Sequence, residues 1–294
     1  MKIRKYGAID IGSNAVRLLV SNVIDYKGQV FFQKNTLVRV PIRLGQDTFT
    51  KGEISKKNLR RIIKSMKAFR LLMKIHGVED YLAFATSALR GAKNCSQVVE
   101  RVSNKSKIQI EIIDGKKEAK IISNTNVFEN IDIEKTFLYI DVGGGSTEIS
   151  ILKGGERLNS NSFKIGTVRL LNKGFDQRIW NQLEIWVKKH TKIYSKIYLL
   201  GTGGNINKLH KISNVKDNRP ITFLTLNLIY NKLNELTYEE RIIDLGLNPD
   251  RSDVIIPATK LFLKIFEWSG AKVIYVPKVG LSDGMIRELY KNKN

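Results

Sequence analysis

One cysteine, three histidines and no apolar run of membrane length narrow the chemistry open to this chain before any motif is considered. Cys95 stands alone, which excludes an internal disulfide and suits a buried small hydrophobic position. His76, His190 and His210 are too scattered for a zinc site, and no Cys–His or Gly-x-Ser-x-Gly arrangement points to nucleophilic catalysis. A Gly-x₄-Gly-Lys-Ser/Thr loop is also missing, which disfavours a P-loop nucleotide hydrolase. No stretch approaches the roughly 18 apolar residues a membrane helix needs. The basic start Met1-Lys2-Ile3-Arg4-Lys5 leads into a strand ending on Asp10 rather than into the apolar core of a signal peptide. The expectation is a cytoplasmic protein without a membrane partner.

Acidic residues are scarce too, 28 against 50 basic ones, so the 294-residue chain carries a net charge of +22. That charge favours a polyanionic partner, although a base-composition bias toward lysine predicts the same excess. No specific nucleic-acid partner is expected. The length suffices for two domains, and 42% hydrophobic residues can supply their cores. The densest basic stretch runs from Lys56 to Lys74, where Leu59, Ile62, Ile63, Met66, Phe69 and Met73 recur at helical spacing behind Ser55, a plausible N-cap. It reads as an amphipathic helix with a basic outer face, either simply solvated or guiding a long anion.

Two glycine-rich turns stand out against this background. Ala8-Ile9-Asp10-Ile11-Gly12-Ser13-Asn14 and Tyr139-Ile140-Asp141-Val142-Gly143-Gly144-Gly145-Ser146-Thr147-Glu148 each place an Asp at the end of an apolar strand, followed by glycine. Glycine permits a tight turn and a close approach of the main chain to an oxyanion, and the strand fixes a carboxylate where it can hold Mg²⁺. The predicted elements around them repeat. Strands 5–10, 15–24 and 29–34, helix 56–76, strand 81–86, helix 93–104, strand 108–113 and helix 116–128 form the first half. Strands 136–142, 146–153 and 156–164, helices 166–173 and 178–194 and strand 196–201 restart the same order. Helices 224–235, 238–244 and 251–268, strand 272–276 and a last helix from about residue 282 complete the chain. Aligning Asp10 with Asp141 aligns Gly12 with Gly143 and nearly aligns the hairpin glycines Gly28 and Gly154. The pattern indicates a duplicated α/β unit with domains 1–124 and 125–282, the terminal helix 283–294 packing back on the first.

Asp10 and Asp141 are therefore candidates for metal holding, and Ser13, Asn14 and the backbone N–H groups of 143–147 for phosphate contact. Glu148 alternates with Ile149 and Ile151 and either joins a metal site or is a hairpin carboxylate. Glu118 opens a helix just after the apolar strand from Ile108 to Ile113. There a carboxylate either complements the helix dipole or accepts a proton from attacking water. Arg90 follows another strand end, where a guanidinium can bind phosphate in bidentate fashion or simply lie on a surface helix.

Taken together, the chain resembles the Ppx/GppA family of exopolyphosphatases and guanosine pentaphosphate phosphohydrolases. The matching segments begin with 10–14 together with Arg17, and 85–90 together with Asn94. Gly115 with Glu118-Ala119, the segment 141–148, and Gly166 with Val168-Arg169-Leu170 match as well. The last are 201–204, Arg251-Ser252-Asp253 with Pro257, and 280–284. The resemblance implies a duplicated actin-like, ribonuclease H-like fold with a cleft between its halves. It implies that Glu118 is the general base, that Asp141 and Glu148 help bind Mg²⁺, and that the loops 10–14 and 143–147 bind phosphate with Arg90. With Asp10 kept as a metal candidate, the expected phosphate contacts are Ser13, Asn14, Arg90, Gly143, Gly144, Gly145, Ser146, Thr147, Gly203 and Gly204. The resemblance further implies a short form without the helical C-terminal region of larger members. Lys116 and Lys117 depart from the family's more acidic or polar residues there.

The activity implied is Mg²⁺-dependent removal of terminal phosphate from inorganic polyphosphate, with guanosine pentaphosphate as the other candidate substrate. A kinase of the same fold, in which 201–204 would contact adenosine, and a non-catalytic polyphosphate or alarmone sensor remain as alternatives. Homodimerisation is left open.

Overall fold

The computed structural model describes residues 1–123, 125, 134–174 and 176–293. The chain divides into two units, one built from the residues up to Thr125 together with those from Gly280 onward, the other from the residues between. Among the described residues no helix is long and apolar enough to cross a membrane.

The first unit opens with an antiparallel meander of β1 (Lys2–Ile11), β2 (Val16–Tyr26) and β3 (Gln29–Val40). There follow α1 (Leu44–Lys51), α2 (Lys56–His76), β4 (Asp80–Ala85), α3 (Ser87–Arg90), α4 (Cys95–Ser106), β5 (Glu111–Ile112) and α5 (Gly115–Ser123). The sheet order is β3-β2-β1-β4-β5, with β4 parallel to β1 and β5 parallel to β4. The central strand β1 is buried from Tyr6 to Ile11, which explains its near-continuous apolar run. Ser55 caps α2 by accepting a hydrogen bond from the Asn58 N–H at 3.2 Å, and Gly77 ends the helix in the left-handed conformation.

The second unit repeats the meander as β6 (Phe137–Val142), β7 (Thr147–Lys153) and β8 (Glu156–Phe163). Then come α6 (Thr167–Lys173), α7 (Gln177–Thr191), β9 (Tyr198–Thr202), α8 (Gly204–Ile212), β10 (Ile221–Thr222), α9 (Phe223–Glu235), α10 (Tyr238–Ile243), α11 (Pro249–Ser252), α12 (Ile255–Ser269) and β11 (Val273–Tyr275). The order β10-β11-β9-β6-β7-β8 contains the first unit's order in reverse listing, with the same strand polarities, plus the short strand β10. Even the irregularities repeat. The second strand of each meander shifts register at corresponding points, between Val20 and Ser21 in β2 and between Ile151 and Leu152 in β7. The core of this unit gathers around α12, whose Ile255, Leu261, Phe262, Ile265 and Phe266 are buried together with Leu183, Leu199 and Leu226.

The chain's last element, α13 (Leu281–Asn292), belongs to the first unit and packs against α5 and β1 through Leu281, Met285, Ile286 and Leu289. Asp283 meets Lys34 at 2.9 Å, and Arg287 lies over the Phe32 ring at 4.1 Å.

The predicted elements differ from these in identifiable ways. The expected strand 108–113 pairs with β4 only at Glu111 and Ile112, opposite Phe84 and Ala85. Helices α1, α3 and α8 occupy stretches to which the sequence pattern assigns no element. Residues 124 and 126–128 of the expected helix 116–128 lie outside the described residues.

Candidate active site

In each unit the turn after the first strand closes on the same hydrogen bond. The Gly12 N–H donates to the Ala15 carbonyl at 3.1 Å, and the Gly143 N–H to the Ser146 carbonyl at 3.0 Å. The helix after the third strand then spends its N-terminal donors on the turn's carbonyls. Arg43 N–H donates to Asn14 O at 2.9 Å and Gly45 N–H to Ser13 O at 2.8 Å, while Val168 and Arg169 N–H groups both donate to Gly144 O, at 2.8 and 2.9 Å. These bonds satisfy helix-start donors that otherwise need a cap. They also orient the turns. With their carbonyls held by the helix, the turns keep their own donors unspent: among the described residues no protein acceptor takes the N–H of Ser13, Gly144, Gly145 or Ser146. A run of such donors is an anion-binding nest.

Sequence reasoning assigned no role to the residues that brace these turns. Arg43 adopts a left-handed backbone, φ 60°, where α1 begins, and so directs the helix start at the turn. Gly166 lies so close to the second turn that a β-carbon would come within 2.6 Å of Gly145 N. Arg169 adds a side-chain bond from Nε to Gly145 O at 2.8 Å. Thr147, expected at the phosphate, is fully buried, and its hydroxyl donates to Ile165 O at 2.6 Å, so its side chain also braces the turn.

The carboxylates differ between the units. Asp10, at the buried end of β1, is paired in register with Arg17 on β2, whose Nη1 lies 3.0 Å from Oδ2. Burial raises the Asp10 carboxyl above the ordinary carboxylate range, and Arg17 offsets part of that. In the second unit Asp141 on β6 is paired with Glu148 on β7, which is buried and accepts a hydrogen bond from the Ser162 hydroxyl on β8 at 2.9 Å. Directly opposed residues of an antiparallel pair share a face of the sheet, so Asp141 and Glu148 set two carboxylates side by side. Asp141 also reaches the next turn: a β-carbon at Gly203, whose φ is 101°, would stand 2.8 Å from its Oδ1. Gly204 opens α8, and its carbonyl accepts from Arg251 Nη1 at 2.8 Å.

Glu118 and Arg90 come together with the first turn at one end of the first sheet. The parallel strands finish side by side there, with Thr86 N–H bonded to Ile11 O at 3.2 Å and Ile113 N–H to Ala85 O at 3.0 Å. Arg90 donates from Nη1 to the Ile113 carbonyl, spanning the ends of β4 and β5. Glu118 follows on the first turn of α5, buried, its N–H bonded to Asp114 O at 3.0 Å. Beside it, Lys117 is engaged with Glu111 and lies over the Phe84 ring at 5.0 Å, whereas Lys116 is exposed.

Among the described residues no three His, Cys, Asp or Glu side chains gather with metal-holding geometry. Mg²⁺ does not require such a cage. It is commonly held by one or two carboxylates, waters and substrate phosphates. Asp141 with Glu148 supplies two hard oxygen donors of that kind, while Asp10 already faces a guanidinium.

The sequence profile described as the Ppx/GppA phosphatase family matches residues 23–293. The bifunctional 3-dehydroquinate synthase/phosphatase of Fusobacterium nucleatum is 29% identical, over 97% of this chain and 46% of its own length. The guanosine-5'-triphosphate,3'-diphosphate pyrophosphatase of Photobacterium profundum is 24% identical, over 97% of this chain and 59% of its own. This chain thus spans about half the length of these two curated relatives. The crystal structure of an exopolyphosphatase from Cytophaga hutchinsonii superposes with a TM-score of 0.88 over 98% of both chains at 22% identity, a likeness of fold. The repeated units thus form a duplicated actin-like α/β fold. Since the profile matches residues 23–293, from the end of β2 through the second braced turn to the returning helix α13, the chain belongs to the Ppx/GppA phosphatase family.

Proposed function

We propose that this protein is a cytoplasmic phosphoanhydride hydrolase that releases terminal phosphate from inorganic polyphosphate. The observation carrying the proposal is the pair of braced turns with unspent N–H donors, one accompanied by Glu118 and Arg90, the other by Asp141 and Glu148. In each turn the unspent N–H groups, that of Ser13 in one and those of Gly144, Gly145 and Ser146 in the other, offset charge on phosphate oxygens, as does the Arg90 guanidinium beside the first turn. Glu118 accepts the proton of the attacking water, and the shortened polyphosphate leaves. A divalent cation such as Mg²⁺, held by Asp141 and Glu148, would supply neutralisation of phosphate oxygens. Guanosine pentaphosphate is the second reading, favoured by the Photobacterium relative.

Phosphate release from long polyphosphate, tripolyphosphate, guanosine pentaphosphate and ATP, with and without Mg²⁺, tests the proposal. Polyphosphate should be the best substrate, Mg²⁺ should be required, and Glu118→Ala should lower the rate by about 10²–10⁴-fold, the usual worth of a general base. Full activity in Glu118→Ala would remove the assigned base. Tight polyphosphate binding without release from any substrate would make the protein a sensor, and faster release from guanosine pentaphosphate would select the second reading.

A further inference from the structure

The longest helix of the chain is electrostatically one-sided in a way that overall composition does not explain. α2 carries eight cationic residues and no acidic one, whereas every other helix longer than ten residues contains at least one Asp or Glu. A general lysine bias would load all surface helices alike. Moreover, Lys56 and Lys57 sit in the first turn, where the helix dipole disfavours positive charge, and no acid accompanies them. On the preceding segment, Glu53 is exposed three residues before Lys56, and Asp47 is committed to Ser55 N and Oγ, at 2.9 and 2.6 Å, and to Asn58 Nδ2 at 2.8 Å.

Two of the eight cations serve the fold. Arg61 donates to Pro41 O at 2.7 Å and Ile42 O at 3.1 Å, and Arg70 to Ser106 O at 3.4 Å. Lys56, Lys57, Arg60, Lys64, Lys67 and Lys74 are exposed and have no acidic partner among the described residues. Lys56, Arg60, Lys64 and Lys67 succeed one another at spacings of three or four residues, so they form a row of like charges along the helix. Such neighbours repel by roughly 0.2–0.5 kcal/mol per pair. From Lys56 to Lys74 the face extends about 27 Å at the ordinary helical rise.

This row starts at the site. Arg61 bonds the carbonyls of Pro41 and Ile42, and the next residue, Arg43, bonds the Asn14 carbonyl of the first turn. The N-terminal end of α2 therefore lies at the same end of the first unit as that turn, and the row leads away from it.

We infer that the outer face of α2 holds the body of a polyphosphate chain whose terminal phosphoryl group lies at the turn. The inference rests on the reaction proposed above. Charge complementarity selects an extended polyanion. The narrowness of the row suits a single flexible chain. The face presents no exposed aromatic ring, Phe69 being buried, so it lacks the stacking platforms with which proteins hold single-stranded nucleic acid.

The test compares the wild-type protein with the triple variant Lys64→Gln, Lys67→Gln, Lys74→Gln, and with a control neutralised at Lys188 and Lys189 of α7 and at its C-cap Lys192. Affinity for long polyphosphate is measured across a salt series, and phosphate release is measured from long polyphosphate and from tripolyphosphate. Three lost contacts should reduce the slope of log affinity against log salt by about 2, at the roughly 0.7 per contact seen with single-stranded polyanions. KM for long polyphosphate should rise, release from tripolyphosphate should stay unchanged, and the α7 control should keep the wild-type slope. Gln is a good helix former, so an unchanged Tm is expected of the α2 variant. An unchanged slope, an equal loss in the α7 control or an equal loss on tripolyphosphate overturns the inference. Tighter binding of single-stranded RNA or anionic vesicles than of polyphosphate at equal charge, abolished by the same variant, overturns the choice of occupant. If the wild type hydrolyses no polyphosphate yet its slope still falls in the α2 variant, the proposed reaction fails while the binding face stands.

Discussion

Arg17 stands opposite Asp10 at 3.0 Å, in the register position that Glu148 occupies opposite Asp141 in the second unit. One copy of the duplicated strand pair thus places a cation against its strand-end carboxylate, and the other places a second anion there. The two Asp residues share a backbone setting but not an electrostatic one. The first already faces a guanidinium, whereas the second lies beside another carboxylate.

Burial raises the Asp10 carboxyl more than Arg17 lowers it, which fixes the sign of a pH effect on stability. Well below the unfolded-state pKa of about 3.9 the carboxyl is neutral in both states. As pH rises toward the higher folded-state value the unfolded chain ionises first, and the folded state loses relative stability. Asp10→Asn removes that titration. In metal-free buffer, the Tm of the variant minus that of the wild type should therefore grow from about pH 3.5 upward and level off once Asp10 is ionised in the fold. A difference that shrinks with rising pH would mean that the Arg17 pair outweighs burial.

Gly203→Ala should damage the site from the backbone side. An alanine at φ 101° is strained, and its methyl group would push on Asp141 Oδ1. Urea unfolding should show a loss of roughly 1–3 kcal/mol, the cost of one such backbone position. Phosphate release should fall in addition, at a temperature where the variant is fully folded, with a raised Mg²⁺ requirement. Full activity at an unchanged Mg²⁺ optimum would dissociate Asp141 from the cation.

Gly284→Ala should loosen α13. A β-carbon there would overlap the Ile121 carbonyl of α5, whereas one at Gly280 meets no neighbouring atom within 4 Å. Overpacking of this kind typically costs about 1–3 kcal/mol. The loss should appear in the urea midpoint of Gly284→Ala and be largely absent from Gly280→Ala. Because Glu118 sits on α5, the first variant should also lower hydrolysis more than Gly280→Ala does. Equal behaviour of the two variants would separate α13 packing from the position of Glu118.

The duplication was legible because glycine at Gly12 and Gly143 and Asp at Asp10 and Asp141 are chemically demanding choices at strand ends. The meanders announce themselves by apolar runs broken at Gly28 and at Gly154-Gly155, all with positive φ. The supports around each turn were harder to read. α1 is short, and its buried Leu44, Gly45, Thr48 and Phe49 give a weak periodic signal, while α8 mixes Asn, Lys and His among its apolar positions. The role of Gly166 depends on a backbone approach from a distant segment, which local sequence does not encode. The Thr147 hydroxyl, which the fold directs to Ile165 O, likewise depends on a segment distant in sequence. The expected strand 108–113 was too long because its apolar residues report burial, as at Ile108 and Ile113, rather than pairing, which occurs only at Glu111 and Ile112.

α13 makes the first unit discontinuous in sequence, with the whole second unit inserted before its final helix. During synthesis the usual order of completion is therefore inverted. The second unit, a continuous stretch, has all its residues in hand while the first still lacks the helix that supplies Met285, Ile286 and Leu289 to its core. Until those residues emerge, the unit begun first waits with an apolar face bare, the condition under which chaperones engage a nascent chain.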